Sequence, residues 1–250
     1  MPPLAFSALL LAIWQMIGVM GWLPAYLLSP LEISQAVIQY VADGTLPAAI
    51  MPSLYRAALG FTVGAGAGVV LGLLAGTWKP LETLVDPLVS LTYPLPKIAF
   101  FPVIAVFLGF TDLTRIIIIA LVTAYPAFVN ALSGTKGINR HFIWIAQNLE
   151  ASRWRKFWQV TFPAALPRTL VGVRISLALT FVMLFATEVI ASRAGLGFLI
   201  FQGYLNVEYN LMYAATATLA VLGFAADRIL VFVGRRATRG QEIQAVGVGG

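Results

Sequence analysis

The chain has no cysteine and only one histidine, His141, in 250 residues. Disulfides and thiol chemistry are therefore excluded. A lone histidine with no acid or second histidine beside it reads as a solvated loop residue rather than a metal ligand or a base. Charge is scarce as well. Asp, Glu, Lys and Arg make up 10% of the chain and hydrophobic residues 60%, where a soluble domain carries roughly 25% charged residues. No Gly-Lys-Ser or Gly-Lys-Thr occurs, so there is no P-loop to cradle nucleotide phosphates. No ten-residue alternation points to a membrane β-barrel. Lys and Arg are missing altogether from Met1 to Tyr55. The net charge of +6 does not indicate nucleic acid. The cations lie in short loops and at the ends of apolar runs, as in polytopic membrane proteins.

What remains is an all-α integral membrane protein. Apolar runs near the 20 residues needed to cross a bilayer fall at 4–23, 53–77, 84–109, 114–133, 168–191 and 211–234. A backbone in lipid must satisfy its own hydrogen bonds, so these are read as six helices. The positive-inside rule places loop 24–52 outside, Lys79 inside, turn 109–113 outside and loop 134–167 inside. Loop 192–210 then lies outside, and the tail with Arg235, Arg236 and Arg239 inside, an N-in/C-in arrangement. Three parts follow: 1–52 with the first span and an outer helix, a core over 53–234, and a cytoplasmic tail over 235–250.

Local signals refine this reading. Ser29-Pro30-Leu31-Glu32 is a capping box with proline at the first helical position. Ile33, Ala36, Val37, Tyr40 and Val41 then form an apolar stripe that ends at Asp43-Gly44. Pro94, Pro96 and Pro102 interrupt the third span. They predict a broken or kinked helix, with Lys97 near the inner side. Gly60, Gly64, Gly68, Gly72 and Gly76 make an unbroken ridge spaced by four. Such a ridge lets helix backbones approach closely, within the bundle or at a dimer seam.

Ionisable residues inside spans are costly and face a partner or a cavity. Glu188 lies near the outer end of the fifth span, either lining a path through the bundle or packing between helices. Arg174 and Asp227 lie at similar depth, as a structural ion pair or with Arg174 snorkelling to the interface. Tyr125 and Asn130 of the fourth span are candidate pathway residues, although hydrogen bonding between helices accounts for them equally.

The most informative segment is the basic, amphipathic stretch between the fourth and fifth spans. Lys136, Arg140, Arg153, Arg155, Lys156 and Arg168 stand there against Glu150. Asn148-Leu149-Glu150-Ala151-Ser152-Arg153-Trp154, then Phe157 and Pro163-Ala164-Ala165-Leu166-Pro167, resembles the EAA loop of ABC-importer permeases. Ser53-Leu54-Tyr55-Arg56 with Gly60-Phe61 resembles the start of their core. Pro94-Leu95-Pro96-Lys97-Ile98-Ala99 with Phe107-Leu108-Gly109 is similar to the third-helix region of the taurine, alkanesulfonate and nitrate branch. Gly172-Val173-Arg174, Glu188-Val189-Ile190-Ala191 and Gly195-Leu196-Gly197 resemble that branch's fifth helix and the loop after it. The likeness runs from about Trp14 to Arg236. There are two departures. The family's Glu-Ala-Ala triplet falls at Trp144-Ile145-Ala146, and its turn glycine is Glu150 here. A glutamate at that turn must take another conformation or bear a small strain.

The resemblance implies a type I ABC-importer (MetI-like) permease fold and a non-enzymatic subunit working as a pair, with homodimer the expected form. Two separate ABC ATPase subunits would bind ATP and Mg, and this chain would hold no cofactor and no metal. The ATPase-coupling residues would be Trp144, Ile145, Ala146, Gln147, Leu149, Glu150, Ala151, Ser152, Trp154 and Phe157. An external or periplasmic solute-binding protein would dock on 24–52 and 192–210. The place is the bacterial cytoplasmic (inner) membrane. The solute would be a small organic or inorganic anion such as a sulfonate or nitrate. A channel or secondary transporter without an ATPase is the alternative. It has no need of the basic inner loop and usually shows an inverted repeat, which is not seen here. An intramembrane enzyme would want paired acids or a nucleophile dyad, and the sequence has neither.

Overall fold

A computed structural model of the chain describes residues 2–238, apart from 93, 140, 142, 143, 145–147, 149 and 151. The described residues are helical throughout, joined by turns. Helix α1 spans Pro2–Val19, α2 Pro30–Ala42 and α3 Thr45–Thr77. Helix α4 spans Lys79–Thr92 and, after a 3₁₀ turn at Lys97–Phe100, α5 spans Phe101–Leu108. Helix α6 covers Asp112–Lys136. A short α7, Arg153–Lys156, runs through a π-helical turn at Phe157–Thr161 into α8, Phe162–Ala191. Helices α9, Leu196–Leu205, and α10, Tyr209–Ala237, complete the chain.

Helix α6 is the centre. It is the most buried of the long apolar helices, and α10 is the least. The glycine ridge of α3 lies directly against α6, so it serves the bundle of one chain. A Cβ on Gly60 would lie 2.5 Å from the Ile119 side chain, one on Gly72 2.5 Å from the Phe128 carbonyl, and one on Gly76 2.5 Å from Thr135. Each step of four along α3 meets the next turn of α6, which is what a ridge with nearly one turn per repeat requires. The opposite flank of α6 packs on α8 in the same way. Gly172 sits against Asn130 and the Pro126 carbonyl, and the Ser176 hydroxyl donates to the Thr123 carbonyl at 2.7 Å.

One end of this three-helix core is capped. Ala36 of α2, Leu46 and Ala49 of α3, Leu196 and Leu199 of α9, and Leu211 and Ala214 of α10 form one apolar cluster. Helix α2 starts at its capping box. The Ser29 N–H donates to Glu32 Oε2 at 2.7 Å, and this bond holds the Glu32 carboxyl below the ordinary glutamate range. The other end carries Lys136, whose amino group is 2.7 Å from Glu82 of α4.

Three boundaries differ from the sequence reading. The span read as starting at 53 belongs to helix α3, which begins at Thr45 and runs through Pro52. Leu46 and Ala49 are buried in the capping cluster, and this packing draws the helix outward past the proline. Helix α10 likewise continues past 234 to Ala237. By length and composition, four helical segments among the described residues can cross a membrane: α3, α6, Arg153–Ile190 and α10. The pair α4 and α5, bent by 89° at the proline break, makes up to five. The run read as a span over 4–23 is a helix that ends at Val19, with Gly21 at φ 72° in the turn after it.

The α3–α6 contact yields a direct test. An alanine Cβ at Gly64 would fall 2.6 Å from the Ala120 Cα, whereas one at Gly66 meets nothing within 4 Å. Gly64→Ala is expected to destabilise the protein by about 1–3 kcal/mol through overpacking. Gly66→Ala should be neutral or slightly stabilising, because alanine is the better helix former. Thermal unfolding of the two variants in detergent checks this, and equal midpoints would contradict the packing.

Candidate functional site

The candidate residues fall at three levels along the bundle. At the capped end, Arg56 of α3 and Glu188 of α8 are inside the protein, 4% and 0% exposed. The Arg56 Nη1 lies 2.7 Å from Glu188 Oε1 and also donates to the Ala194 carbonyl at 2.7 Å. Its Nε and Nη2 reach Asp112 Oδ1 at the start of α6, at 2.8 and 2.7 Å. The Ser53 hydroxyl sits 2.8 and 2.9 Å from the two Glu188 oxygens and donates to the carboxylate, while it accepts from the Leu196 N–H at 2.8 Å. The Gly197 N–H donates to Glu188 Oε2 at 2.8 Å. The turn before α9 wraps the carboxylate so closely that a Cβ on Gly195, at φ 118°, would fall 2.5 Å from the Glu188 Cδ. One buried acid therefore ties α3, α8 and α9 together, and Arg56 extends the tie to α6. In this conformation Glu188 is in a closed clamp rather than on an open path.

At mid-height the proline break leaves a cavity of about 260 Å³ between α3, α4 and α6. Tyr125 lines it, and the Lys97 ammonium lies 5.5 Å from the centre of the Tyr125 ring. Lys97 also donates to the Thr92 carbonyl at 3.2 Å. Its expected place near the inner side is corrected by this contact, because Tyr125 is halfway along α6. A second cavity, about 590 Å³, opens between α8 and α10 and is lined by Asn130, Arg168, Arg174 and Arg235 among others. Asn130 back-bonds to the Pro126 carbonyl at 2.9 Å. Arg174 meets Asp227 in two parallel bonds, Nε to Oδ1 at 2.6 Å and Nη2 to Oδ2 at 3.0 Å. Arg228 contacts the same carboxylate at 2.5 Å. Tyr125, Asn130 and Glu188 are thus not brought together: the first two line different cavities and the third is enclosed.

At the far end lies the segment that leads into α7 and α8. Ile145, Ala146, Gln147, Leu149 and Ala151 fall outside the described residues. Glu150 keeps the left-handed turn, at φ 52°. That conformation costs a residue with a side chain roughly 1–2 kcal/mol, so the strain is borne rather than avoided. The Ser152 hydroxyl caps α7, accepting from the Arg155 N–H at 3.3 Å. Phe157 packs against the cluster of Leu73, Ala131 and Ala165, rooting the segment in the core. Trp144 and Trp154 point outward, 54% and 72% exposed. Trp154 packs edge-on against Trp158 and is flanked in the chain by Arg153, Arg155 and Lys156.

Sequence reasoning finds Arg56 only as part of a motif and misses it as the partner of Glu188. No periodicity links residues 132 positions apart. A usable signal is present, since an unpaired glutamate within an apolar span calls for a cation at the same depth.

Residues 68–239 match the family described as the binding-protein-dependent transport system inner membrane component. A Bacillus subtilis protein named as an aliphatic sulfonates transport permease, SsuC, is 32% identical over 237 residues, spanning 94% of this chain and 86% of its own length. The taurine transport system permease TauC of Escherichia coli is 29% identical over 237 residues, with 92% and 86% covered. The nitrate import permease NrtB of a Synechocystis species is 26% identical over 242 residues, again with 92% and 86% covered. Two solved structures share the fold. One is a chain of a bacterial alginate ABC transporter in complex with an alginate pentasaccharide-bound periplasmic protein, with TM-score 0.68, 18% identity, and 95% of this chain and 98% of that one covered. The other is a chain of the MetNI methionine ABC transporter in an inward facing conformation, with TM-score 0.56, 19% identity, and 85% and 98% covered.

The clamp has a measurable energetic signature. Breaking one side of a buried ion pair costs about 3–5 kcal/mol, because the remaining charge stays buried. Arg56 keeps its bonds to Asp112 when Glu188 is neutralised, so Glu188→Gln is expected to lower thermal stability by less than this full amount, and the double variant Arg56→Gln/Glu188→Gln to recover part of the loss. A Glu188→Gln protein as stable as wild type would show that the clamp is not structural.

Proposed function

The chain belongs to the family of binding-protein-dependent transport system inner membrane components, and from that premise we propose that two copies of it form the solute pathway of an ATP-driven importer. It is a transport permease, and ATP hydrolysis falls to separate chains. Two ATPase subunits, holding ATP and Mg, dock on residues 144–158. An external solute-binding protein docks on 24–52 and 192–210. The assembly sits in the bacterial cytoplasmic membrane, with α1 as the first of six spans and both termini inside. Exposed charge supports that orientation. Lys79, Lys136, Arg153, Arg155, Arg235 and Arg236 gather at one end, while at the other Arg56 and Arg115 are buried against Asp112 and Arg193 is exposed. The cargo is a small anion of the sulfonate or nitrate kind, by analogy with what the relatives are named for.

The observation that carries this reading is the way the tryptophan-bearing segment is mounted. Phe157 fixes it to the core, and α7 runs on into α8 without a break in the helical chain. Helix α8 ends beside the Glu188 clamp, 26 residues beyond Phe162, or about 39 Å at 1.5 Å per residue. Force applied by an ATPase at Trp154 reaches the opposite end of the bundle along the continuous helical run Arg153–Ile190. It acts there on the tie that holds α3, α6 and α9. Alternating opening of the two ends follows if the clamp moves as a unit with α8.

Because the chain has no cysteine, single cysteines can be placed cleanly. Cysteines replacing Trp144 and Trp154 are expected to cross-link to the ATPase, and a cysteine replacing Val207, at the other end, is not. Cross-links formed only from Trp78 or from the tail would overturn the docking assignment.

A further inference from the structure

We propose that the groove between α8 and α10 holds an anionic phospholipid of the inner leaflet. Arg168 and Arg235 receive its phosphate, and an acyl chain lies along the groove. The inference goes beyond the permease reading and takes from it only the orientation, with Arg235 inside. Two cavities follow one another between the same two helices. The inner one, about 590 Å³, is lined by Arg168 and Arg174 of α8 and by Arg235 of α10. The outer one, about 530 Å³, is walled by Phe181 and Phe185 of α8 and by Leu219 and Phe224 of α10. The Arg174–Asp227 pair stands where they meet, since Arg174 lines the first and Asp227 the second.

The two cavities differ in chemistry as the head and tail of a phospholipid do. Arg168 and Arg235 are exposed, and neither makes an ion pair among the described residues. The Asp227 carboxylate is held by both Arg174 and Arg228, so an excess of positive charge stays at the inner cavity. Basic pockets between spans on the cytoplasmic side take anionic headgroups. Arg168 is six residues and Arg235 eight residues from the ion pair. At 1.5 Å per residue both helices carry a cation about 9–12 Å toward the inner surface, to one height. In the other direction, Arg174 to Phe185 is 11 residues along α8, or about 16 Å. One leaflet of a 30 Å hydrocarbon core is about 15 Å deep, so the groove matches one acyl chain from its charged end to the midplane. A soluble anion would use the inner cavity alone. A two-fold contact with a second copy centred here would set the same cations against each other.

The test uses the assembled complex with its ATPase, stripped of lipid in detergent. Native mass spectrometry then follows binding of added phosphatidylglycerol or phosphatidylcholine with the same chains. Phosphatidylglycerol is expected to bind the more tightly. Arg168→Ala/Arg235→Ala should weaken it about thirtyfold, since each arginine near an anionic surface is worth roughly fivefold. Arg168→Lys/Arg235→Lys should keep most of the affinity. Ala220→Phe, which fills the outer cavity, should weaken binding with both arginines in place. Glycerophosphoglycerol, the same head without chains, should not displace the lipid. Equal binding of the two lipids, or an affinity unchanged by Arg168→Ala/Arg235→Ala, would overturn the proposal. Displacement by glycerophosphoglycerol would overturn it in favour of a soluble anion. Disulfide-linked pairs of copies formed from Val182→Cys, in the outer cavity, would overturn it in favour of a seam between copies. If Arg168→Ala/Arg235→Ala fails to assemble, the preference between the two lipids and the Ala220→Phe variant decide.

Discussion

The structure depends on how closely α6 is gripped. Apolar side chains gain little by leaving lipid for one another, so helices in a membrane hold together through close contact and internal hydrogen bonds. Here α3 offers a glycine at every fourth position to one flank of α6, and α8 offers Gly172 and Ser176 to the other. Three helices become one rigid unit. Everything with a claim to function is then attached to that unit: the Glu188 clamp at one end, the broken α4–α5 span on its side, and the tryptophan-bearing segment at the other end.

Rigidity gives the clamp and the segment a mechanical relation. A charge pair buried at 4% and 0% exposure holds firmly only while its geometry is complete, since partial satisfaction is worse than none in a low dielectric. Glu188 is satisfied by groups from α3 and from the turn into α9. An element that ends in such a joint transmits displacement instead of absorbing it. Glu150, at φ 52°, lies two residues before the Ser152 cap of α7.

Local chemistry is legible in the sequence, and depth and partnership are not. The capping box at Ser29 and Glu32, the glycine ridge and the proline break all follow from residue types at short spacing, and each is present as read. The start of α3 escapes the sequence because Pro47 and Pro52 look like loop residues, whereas burial of Leu46 and Ala49 keeps the helix going. Lys97 escapes it because a bend of 89° uncouples position in the chain from height in the bundle. The fit of Gly195 and Gly197 around Glu188 is a tertiary fact. Their glycines stand out as a motif, but the reason for them lies across the bundle. Arg174 and Asp227 are open between pairing and snorkelling in the sequence, and they meet in a bidentate pair.

The central claim is that solute movement through this chain is driven by a separate ATPase acting at residues 144–158. Reconstitution into vesicles with the partner ATPase and binding protein addresses it most directly, with uptake and ATP hydrolysis measured together. The account predicts uptake that requires all three proteins and ATP, with hydrolysis accelerated by the loaded binding protein. Uptake by the chain alone, driven by a solute or ion gradient and indifferent to ATP, would contradict it.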